Sequence, residues 1–472
     1  SQVPPPPYRR RAGRGRVGVK VTVVGGGLAG SEAAWALAER GFKVTLQEMR
    51  PGIKTAAHQT DRLAEIVCSN SFKSLELTNA HGLLKAELRA LGSLLLPCAD
   101  VARVPGGAAL AVDREVFSQT VHQRITSHPN ITLERGEAIE LPSPGVVATG
   151  PLTSERLSAA IVTRLGASAL AFYDAIAPVV STDSLDHDRL YALSRYGKGE
   201  GDDYLNAPLD ASQYDAFIDA LLEGDQYQGH DFDAVPYFEG CLPVEEMARR
   251  GRETLRFGPM KPVGLRDPRT GREPHAVVQL RREDKAGQMW NLVGFQTRLR
   301  IPEQQRVFRM IPGLEAAEFL RYGSIHRNSY LNSPATLGPG LTARDDDHLF
   351  FAGQMTGVEG YTESLGTGIL AGINLARRLQ GLPIVVPPPT TMLGGLYRYL
   401  AEADPRHFQP MNANFGLLDP LPGKLKKDRK KELLVERAQA DFRAWLDETG
   451  VLVGNGLRQE FTTEDTERLL SH

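Results

Sequence analysis

Short apolar runs broken by glycines mark the first region of the chain that predicts structure. VKVTVVGGG, from Val19 to Gly27, is a β-branched run that passes directly into glycines, which predicts a short buried strand ending in a tight turn. LAGSEAAWALAERG follows with helix-forming residues and closes on Gly41, so a helix is expected across it. KVTLQE, from Lys43 to Glu48, predicts a second strand. Strand, helix and strand in this order form a βαβ unit, and parallel pairing of the two strands requires the crossover helix. Further on, ITLERGEAIE and VVATGP read as strands of the same layer, with Pro142 and Pro144 marking the turn between them.

The regularity fades between Pro178 and Gly201, and from about Tyr191 to Tyr330 the pattern changes character. HAVVQLRRED and MWNLVGFQ are strand-like and separated by polar turns, while Pro302 opens a helix-like stretch, EQQRVFRMI. LFFAGQ then returns as a buried strand, followed by a glycine-rich turn and the helical run GILAGINLARRLQG. The expected fold is therefore α/β, a discontinuous Rossmann-like dinucleotide-binding domain with a parallel sheet, interrupted by an inserted α+β domain. Its boundaries are a leader at 1–17, a first part at 18–190, an inserted substrate domain at 191–330 and a second part at 331–472. GLPIVVPPP reads as a linker before a helical, basic carboxyl-terminal region.

Composition narrows the class. With 472 residues, 41% hydrophobic and 24% charged, the chain has the balance of a multi-domain globular protein rather than a disordered or fibrous one. The net charge of −2 conceals segregation. Arg9, Arg10, Arg11, Arg14, Arg16 and Lys20 carry no accompanying acid, and Lys424 to Lys431 holds six cations against Asp428, which leaves the remainder acidic. No apolar run is long enough for a membrane span, and the leader SQVPPPPYRRRAGRGR has no apolar core of the kind a secretory signal needs, so it reads as a disordered basic tail. Three widely spaced cysteines, Cys68, Cys98 and Cys241, give neither a disulfide framework nor a metal-site pattern, and a reducing cytoplasm fits best.

The candidate cofactor chemistry lies in two glycine-rich elements. Gly25, Gly27 and Gly30 form G-x-G-x-x-G at the first strand-to-helix turn. The first glycine permits the turn, the second lets the backbone approach a pyrophosphate, and the third lets helix and strand pack closely. Gly26, Leu28 and Ala29 complete a helix amino terminus whose N–H groups favour phosphate. Glu48 ends the second strand, where an acid accepts hydrogen bonds from ribose hydroxyls. The second element, LFFAGQMTGVEGYTESLGTGILAG, sets Gly353, Gln354, Gly357, Gly360, Gly366, Thr367, Gly368 and Gly372 around a strand end and a helix start. Amides there can reach the far end of a long dinucleotide, which favours FAD over NAD and puts the flavin at that end. Close helix packing is the competing use of the same glycines. Val146 to Pro151 resembles the strand that closes the cofactor crevice in FAD-dependent two-dinucleotide-fold proteins.

Two further segments carry a family resemblance. Leu63 to Arg89, LAEIVCSNSFKSLELTNAHGLLKAELR, and Pro236 to Leu265, PYFEGCLPVEEMARRGRETLRFGPMKPVGL, closely resemble the folate- and FAD-dependent tRNA uracil-5-methyltransferases, the TrmFO family. With GGGLAGSEAAW, GVEGYTESLGTG and HFQPMNANFGLLDPL, the resemblance covers nearly the whole chain after the leader. It implies FAD as reductant and methylene carrier, methylenetetrahydrofolate as carbon donor, NADH or NADPH as the source of electrons, and uridine 54 of the tRNA T loop as target. No membrane and no obligatory protein partner are implied.

The residues support that chemistry separately. Uracil C5 is a poor nucleophile until something adds at C6, and a thiolate is the side chain suited to reversible addition there. Cys241, between Gly240 and Leu242-Pro243 and near Glu239, Glu245, Arg249, Arg250 and Arg252, is the candidate nucleophile. Cys68, followed by Ser69-Asn70-Ser71, is the second catalytic candidate, either protecting the flavin or sharing the nucleophile's task, while Cys98 in LLLPCADV reads as structural. Glu363 and Glu239 are candidate bases on chemistry alone. His326 can stack on a pterin with Asn328 reading its edge. For tRNA phosphates, the candidates are Arg249, Arg250, Arg252 and Arg256, then Arg281 and Arg282, then Lys424, Lys426 and Lys427 in the tail run. Competing readings are the related wobble-uridine modifying flavoenzyme, a flavin dehydrogenase acting on a small acid, and a flavin-bound RNA-binding factor without turnover.

Overall fold

The computed structural model describes residues 19–452 apart from 56, 167–169, 199–201, 228–241, 283–286, 288, 404, 406–407, 409 and 423–426. The first unit opens with β1 (Lys20–Val24), α1 (Leu28–Ala38) and β2 (Lys43–Glu48), as the hydrophobic pattern predicts. A small sheet of β3 (Ser71–Ser74), β4 (Arg103–Val104) and β5 (Ala109–Val112) is interleaved with α2 (Ala80–Ala90) and α3 (Leu95–Val101). Then come α4 (Arg114–Thr126), β6 (Ile131–Arg135), β7 (Gly145–Val147) and α5 (Glu155–Leu165). Asp113 starts α4 by accepting the Glu115 and Val116 N–H groups, which satisfies donors that a helix end leaves open.

Beyond α5 the chain leaves through β8 (Leu170–Ile176). The inserted unit contains β9 (Val179–Ser181), β10 (Tyr191–Ala192), β11 (Tyr204–Leu209), α6 (Ala211–Glu223), α7 (Val244–Arg249) and α8 (Thr254–Phe257). It continues with β12 (Ala276–Arg282), β13 (Met289–Leu292), α9 (Ile301–Phe308) and β14 (Phe319–Arg321). The return strand β15 (Ser324–Tyr330) pairs antiparallel with β8, so both crossings run along one two-stranded ribbon. The first unit resumes with α10 (Ser333–Thr336), β16 (Thr342–Ala343), β17 (Asp346–Phe351), α11 (Tyr361–Leu379), α12 (Met392–Glu402) and α13 (Lys427–Thr449).

The main sheet has the order β16-β17-β7-β1-β2-β6. All its pairings are parallel except β16 with β17. The strand pair read from ITLERGEAIE and VVATGP thus belongs to one layer, but on opposite sides of β1. The insert holds its own antiparallel sheet, β10-β11-β12-β13-β9-β14. Since β9 at Val179–Ser181 pairs with both β13 and β14, this sheet takes in residues ahead of 191. A short strand without alternation gave no sign of that pairing in the sequence.

Two cores separate the units. One gathers β1, β2, α1, α11 and the carboxyl-terminal helices, and the other is built from β11, β12, α6, α9 and residues around Phe295. Across the joint, Asn70 Nδ2 donates to the carbonyls of Val112 (3.1 Å) and Arg282 (2.5 Å), while Arg281 Nε donates to Asn70 Oδ1 at 2.9 Å. Among the described residues, no helix is long and apolar enough to cross a membrane.

Candidate functional site

A cleft spanning about 1030 Å³ of free space, open solvent included, lies at the carboxyl ends of the parallel strands. That is where ligands bind in open α/β sheets. Its walls come from the β1–α1 turn, the end of β2 with the Thr55–Val67 loop beyond it, the Gly136–Ala138 segment after β6, the Ala148–Ser154 segment after β7, and the Gly353–Ser364 region after β17. Of the sequence candidates, Gly25, Gly27, Leu28, Ala29, Glu48, Gly353 and Gln354 line it directly.

At the β1–α1 turn Gly25 and Gly30 each have a visible reason. Gly25 adopts φ +104°, and a Cβ there would lie 2.5 Å from the Ala148 carbonyl oxygen. At Gly30 a Cβ would overlap the Gly25 carbonyl, so the third glycine lets α1 press onto the turn. Gly27 caps α1 with no side-chain hydrogen bond, which leaves the first amides of the helix toward the cleft. Gly26 lies just behind, and its N–H donates to Glu48 Oε2 at 2.9 Å.

Glu48 is held from the other side by Arg50, whose Nε reaches Oε1 at 2.9 Å. Arg50 also pairs with Glu65 at 3.0 Å. Burial alone would raise the Glu48 carboxyl, but the bonds from Arg50 and from the Gly26 amide outweigh it and hold the group below the usual carboxylate range. The site thus presents an ionised acid locked in place at one end. Arg50, Glu65, Thr55 and His58 also line this end, and sequence reasoning missed them. Only Arg50, two residues from Glu48, offered a signal.

At the far end Gly353 has φ +79°, and its N–H donates to Thr367 Oγ1 at 2.8 Å. Thr367 therefore supports the turn and does not itself line the cleft. Gly360 precedes α11 at φ +122°. Gly366 packs against Leu88 and Leu393, Gly368 against the Ala29 backbone and Gly372 against Ala33. Gly357 packs against Phe408. For Gly366, Gly368 and Gly372 the structure selects close helix packing over contact with a ligand: all are buried within α11, and none lines the cleft.

Cys68 is brought to this end. The Tyr361 hydroxyl accepts the N–H groups of Cys68 and Ser69, both at 3.0 Å, and donates to the Ser69 carbonyl at 2.8 Å. Tyr361 and Val67 both line the cleft, so the Cys68 backbone is anchored beside it. Arg114 adds bonds to the carbonyls of Ile66 (2.6 Å) and Cys68 (3.0 Å). Cys98 is fully buried in α3, and burial pushes its thiol up to about 12, which suits a core residue.

The remaining candidates divide clearly. Glu363 is buried, accepts the Ala413 N–H at 2.8 Å and stands 3.2 Å from His81 Nδ1. Burial opposes its ionisation, but His81 and Lys73 outweigh it and hold the carboxyl low, so its place is in the packing behind the cleft. Arg281 is 8% exposed and bound to Asn70, which removes it from any phosphate-binding surface. Arg282 lies over the Trp290 ring and is half-buried. Arg249 is exposed but pairs with Glu246, Arg252 with Asp215 and Asp219, and Arg256 with Glu253. Arg250 is exposed at the end of α7. His326 and Asn328 lie on β15 opposite Asp174 and Phe172. Lys427 begins α13, whereas Cys241, Glu239, Lys424, Lys426 and the leader lie outside the described residues.

Comparison with known proteins adds to this geometry. The family model described as glucose inhibited division protein A matches residues 20–383. A Geobacter sulfurreducens protein named methylenetetrahydrofolate–tRNA-(uracil-5-)-methyltransferase TrmFO is 58% identical over 428 residues, covering 90% of this chain and 98% of the relative. A Thermus thermophilus protein of the same name is 56% identical over 429 residues, covering 90% and 96%. Among solved structures, Aquifex aeolicus GidA in its form I crystal superposes with a TM-score of 0.67 at 18% identity, over 95% of this chain and 78% of that one.

Proposed function

This chain belongs to the TrmFO family of methylenetetrahydrofolate–tRNA-(uracil-5-)-methyltransferases, within the wider glucose inhibited division protein A family, and on that premise we propose that it methylates C5 of uridine 54 in the T loop of tRNA. Methylenetetrahydrofolate supplies the carbon, NADH or NADPH supplies electrons, and the reaction takes place in the cytoplasm. The observation that carries this reading is the anchoring of the Cys68 loop, through Tyr361, at one end of a dinucleotide-shaped cleft.

The cleft's residues fit FAD. The amides at the start of α1 would take the pyrophosphate, Glu48 a ribose, and the Gly353–Gln354 turn with Tyr361 and Ser364 the flavin end. When bound, FAD supplies the redox chemistry that turns a folate-derived methylene into a methyl group. Glu48 arrives ionised and already oriented, so it accepts hydroxyl hydrogen bonds without rearrangement.

At the substrate, the Cys241 thiolate adds to C6 of the uracil and makes C5 nucleophilic. After C5 has bonded to the folate-derived methylene carbon, loss of the C5 proton breaks the bond between that carbon and its amine carrier and leaves an exocyclic methylene. Addition of a hydride, which bound reduced FAD would supply, then makes it a methyl group as the thiolate leaves C6 and the ring double bond is restored. Cys68 stands at the flavin end, where it protects the reactive carbon or shares the nucleophile's task. His326 and Asn328 take the pterin, and Arg249, Arg250 and Arg252 favour the tRNA backbone. The target base has to leave the T-loop stack to reach a thiol and a flavin in a cleft.

The test supplies purified protein with unmodified tRNA, methylenetetrahydrofolate labelled in the transferable carbon, and NADPH, and maps labelled nucleosides by mass spectrometry. Labelled 5-methyluridine at position 54, absent with Cys241→Ser, is the expected result. Label at a wobble uridine, or turnover of NADPH with no label in RNA, overturns the proposal.

A further inference from the structure

The insert carries exposed aromatic residues that its core does not use. Phe257, the last residue of α8, is 81% exposed, Tyr196 is 65% exposed, and Val263, whose carbonyl accepts from Arg195, is 41% exposed. Tyr196 adopts φ +58°, a left-handed conformation that is uncommon for a bulky residue. Its ring lies against Gly264, itself at φ +80°, where a Cβ would come within 2.7 Å of the ring. The Tyr196 N–H donates to the Gly264 carbonyl at 3.2 Å. Arg195 then fastens turn to loop, donating to the carbonyls of Lys261 (2.9 Å) and Val263 and to Gln279 Oε1 (3.3 Å) on β12. Strain that holds a ring flat on a glycine, with most of the residue in water, does nothing for the core and marks a contact surface.

Charge identifies the partner. In the stretch from Glu253 to Arg269, the acids Glu253 and Asp267 are already paired with Arg256 and Arg269. Lys261 and Arg266 are exposed and make no ion pair among the described residues, and the same holds for Arg250 at the end of α7. Aromatic faces interleaved with unpaired cations suit unstacked bases and their phosphates, because every base offers a π face and every phosphate a charge. The 195–198 turn also touches the cofactor unit. Lys198, two residues from Tyr196, pairs with Glu76 of the cofactor unit at 2.6 Å, and α7 follows directly on the segment that contains Cys241.

We propose that the 257–266 loop and the 195–197 turn form an aromatic and basic platform on which bases of the tRNA substrate stack. It rests on the methyltransferase reading above, and it adds base stacking to the phosphate contacts that reading assigns to Arg249, Arg250 and Arg252.

The experiment measures equilibrium binding of unmodified tRNA to the FAD-loaded full chain at low and moderate salt. Phe257→Ala and Tyr196→Asn, the latter keeping a residue that tolerates the left-handed backbone, are expected to weaken binding roughly 5- to 100-fold with bound flavin unchanged. Phe257→Tyr retains binding. Lys261→Gln with Arg266→Gln weakens it and lowers the salt slope by about one per cation removed. If Phe257→Ala and Tyr196→Asn bind tRNA as the wild type does, while the wild type methylates it, the platform is overturned and the methyltransferase reading stands. Altered self-association with unchanged tRNA binding also overturns it, in favour of a contact between copies. A wild type that neither binds nor methylates tRNA overturns the underlying reading and the platform with it.

Discussion

At the α1 end of the cleft, Gly25 is left-handed at φ +104° and stands against the Ala148 carbonyl, whereas at the α11 end Gly368 is helical and stands against the backbone of Ala29. The first glycine bends the chain so that amides face the cleft. The second removes a side chain so that two helices meet, and of its region the Gly353–Gln354 turn, Tyr361 and Ser364 line the cleft. Two glycine-rich strings of similar appearance thus act through backbone conformation in one case and through helix approach in the other. Each end is also tied down by a buried carboxylate. Glu32 on α1 accepts the Ser93 hydroxyl and the Leu94 and Leu95 amides, and Glu87 accepts the amides of Met392 and Leu393 at the start of α12.

The largest expected effect breaks the first end. In Gly30→Ala the new Cβ would overlap the Gly25 carbonyl, with backbone on both sides, and the chain should lose about 4 kcal/mol or more and purify without flavin. Thermal melting and flavin absorbance read this, and a variant with wild-type melting and flavin would remove the assigned role. Gly368→Ala should cost less, about 3 kcal/mol of overpacking, because its Cβ would lie 2.2 Å from the Ala29 carbonyl oxygen of a neighbouring helix, against 1.8 Å from the Gly25 carbonyl oxygen for Gly30→Ala. Excess FAD should restore its melting temperature but not that of Gly30→Ala, which distinguishes a packing role from a binding role.

Tyr361→Phe sharpens the second end. The Cys68 and Ser69 amides lose their shared acceptor, worth about 1–2 kcal/mol. In a Cys241→Ser background, alkylation of Cys68 should quicken on the order of tenfold through easier opening of its loop. An unchanged rate would show that Arg114 alone holds the loop.

The smallest effect separates the two carboxylates by pH. Burial pushes Glu32 up to about 7 and Glu87 up to about 8, against the hydrogen bonds they accept. Because both are raised in the folded state, their stabilising contribution is complete below the ordinary 4.5 and is lost as pH rises through about 7 and about 8 respectively. Melting temperature should therefore fall with pH across that window. Glu32→Gln should flatten the slope between about 4.5 and 7 and Glu87→Gln the slope between about 4.5 and 8, each by about 1 kcal/mol per pH unit.

Much of the fold was legible because it is local. The βαβ unit, the glycine turn and Glu48 are written in consecutive residues, and the strands around Val277 and Trp290 lie in strand-like runs set off by polar turns. What escaped depends on contacts between distant residues. Nothing in the chain around Asn70 announces that Arg281 will be buried against it, and a basic pair in sequence reads as surface until that partner appears. The Tyr361 clamp on Cys68 lay inside a string already singled out for its glycines, but a phenol shows its use only when the loop it holds is in place. Gly366 and Gly368 show the opposite case: glycine spacing is shared by ligand turns and by helix contacts, and the helix contact becomes visible only with the facing Leu393 and Ala29 in place.

The most direct test of the central claim, that this cleft is an FAD site built by the β1–α1 turn, is the identity and stoichiometry of flavin released by acid from the purified chain and rebound on reconstitution. The account predicts FAD in stoichiometric amount for the wild type and failure to rebind in Gly25→Ala. A wild type that does not take up FAD, or a folded Gly25→Ala chain that binds it as tightly, would contradict the claim.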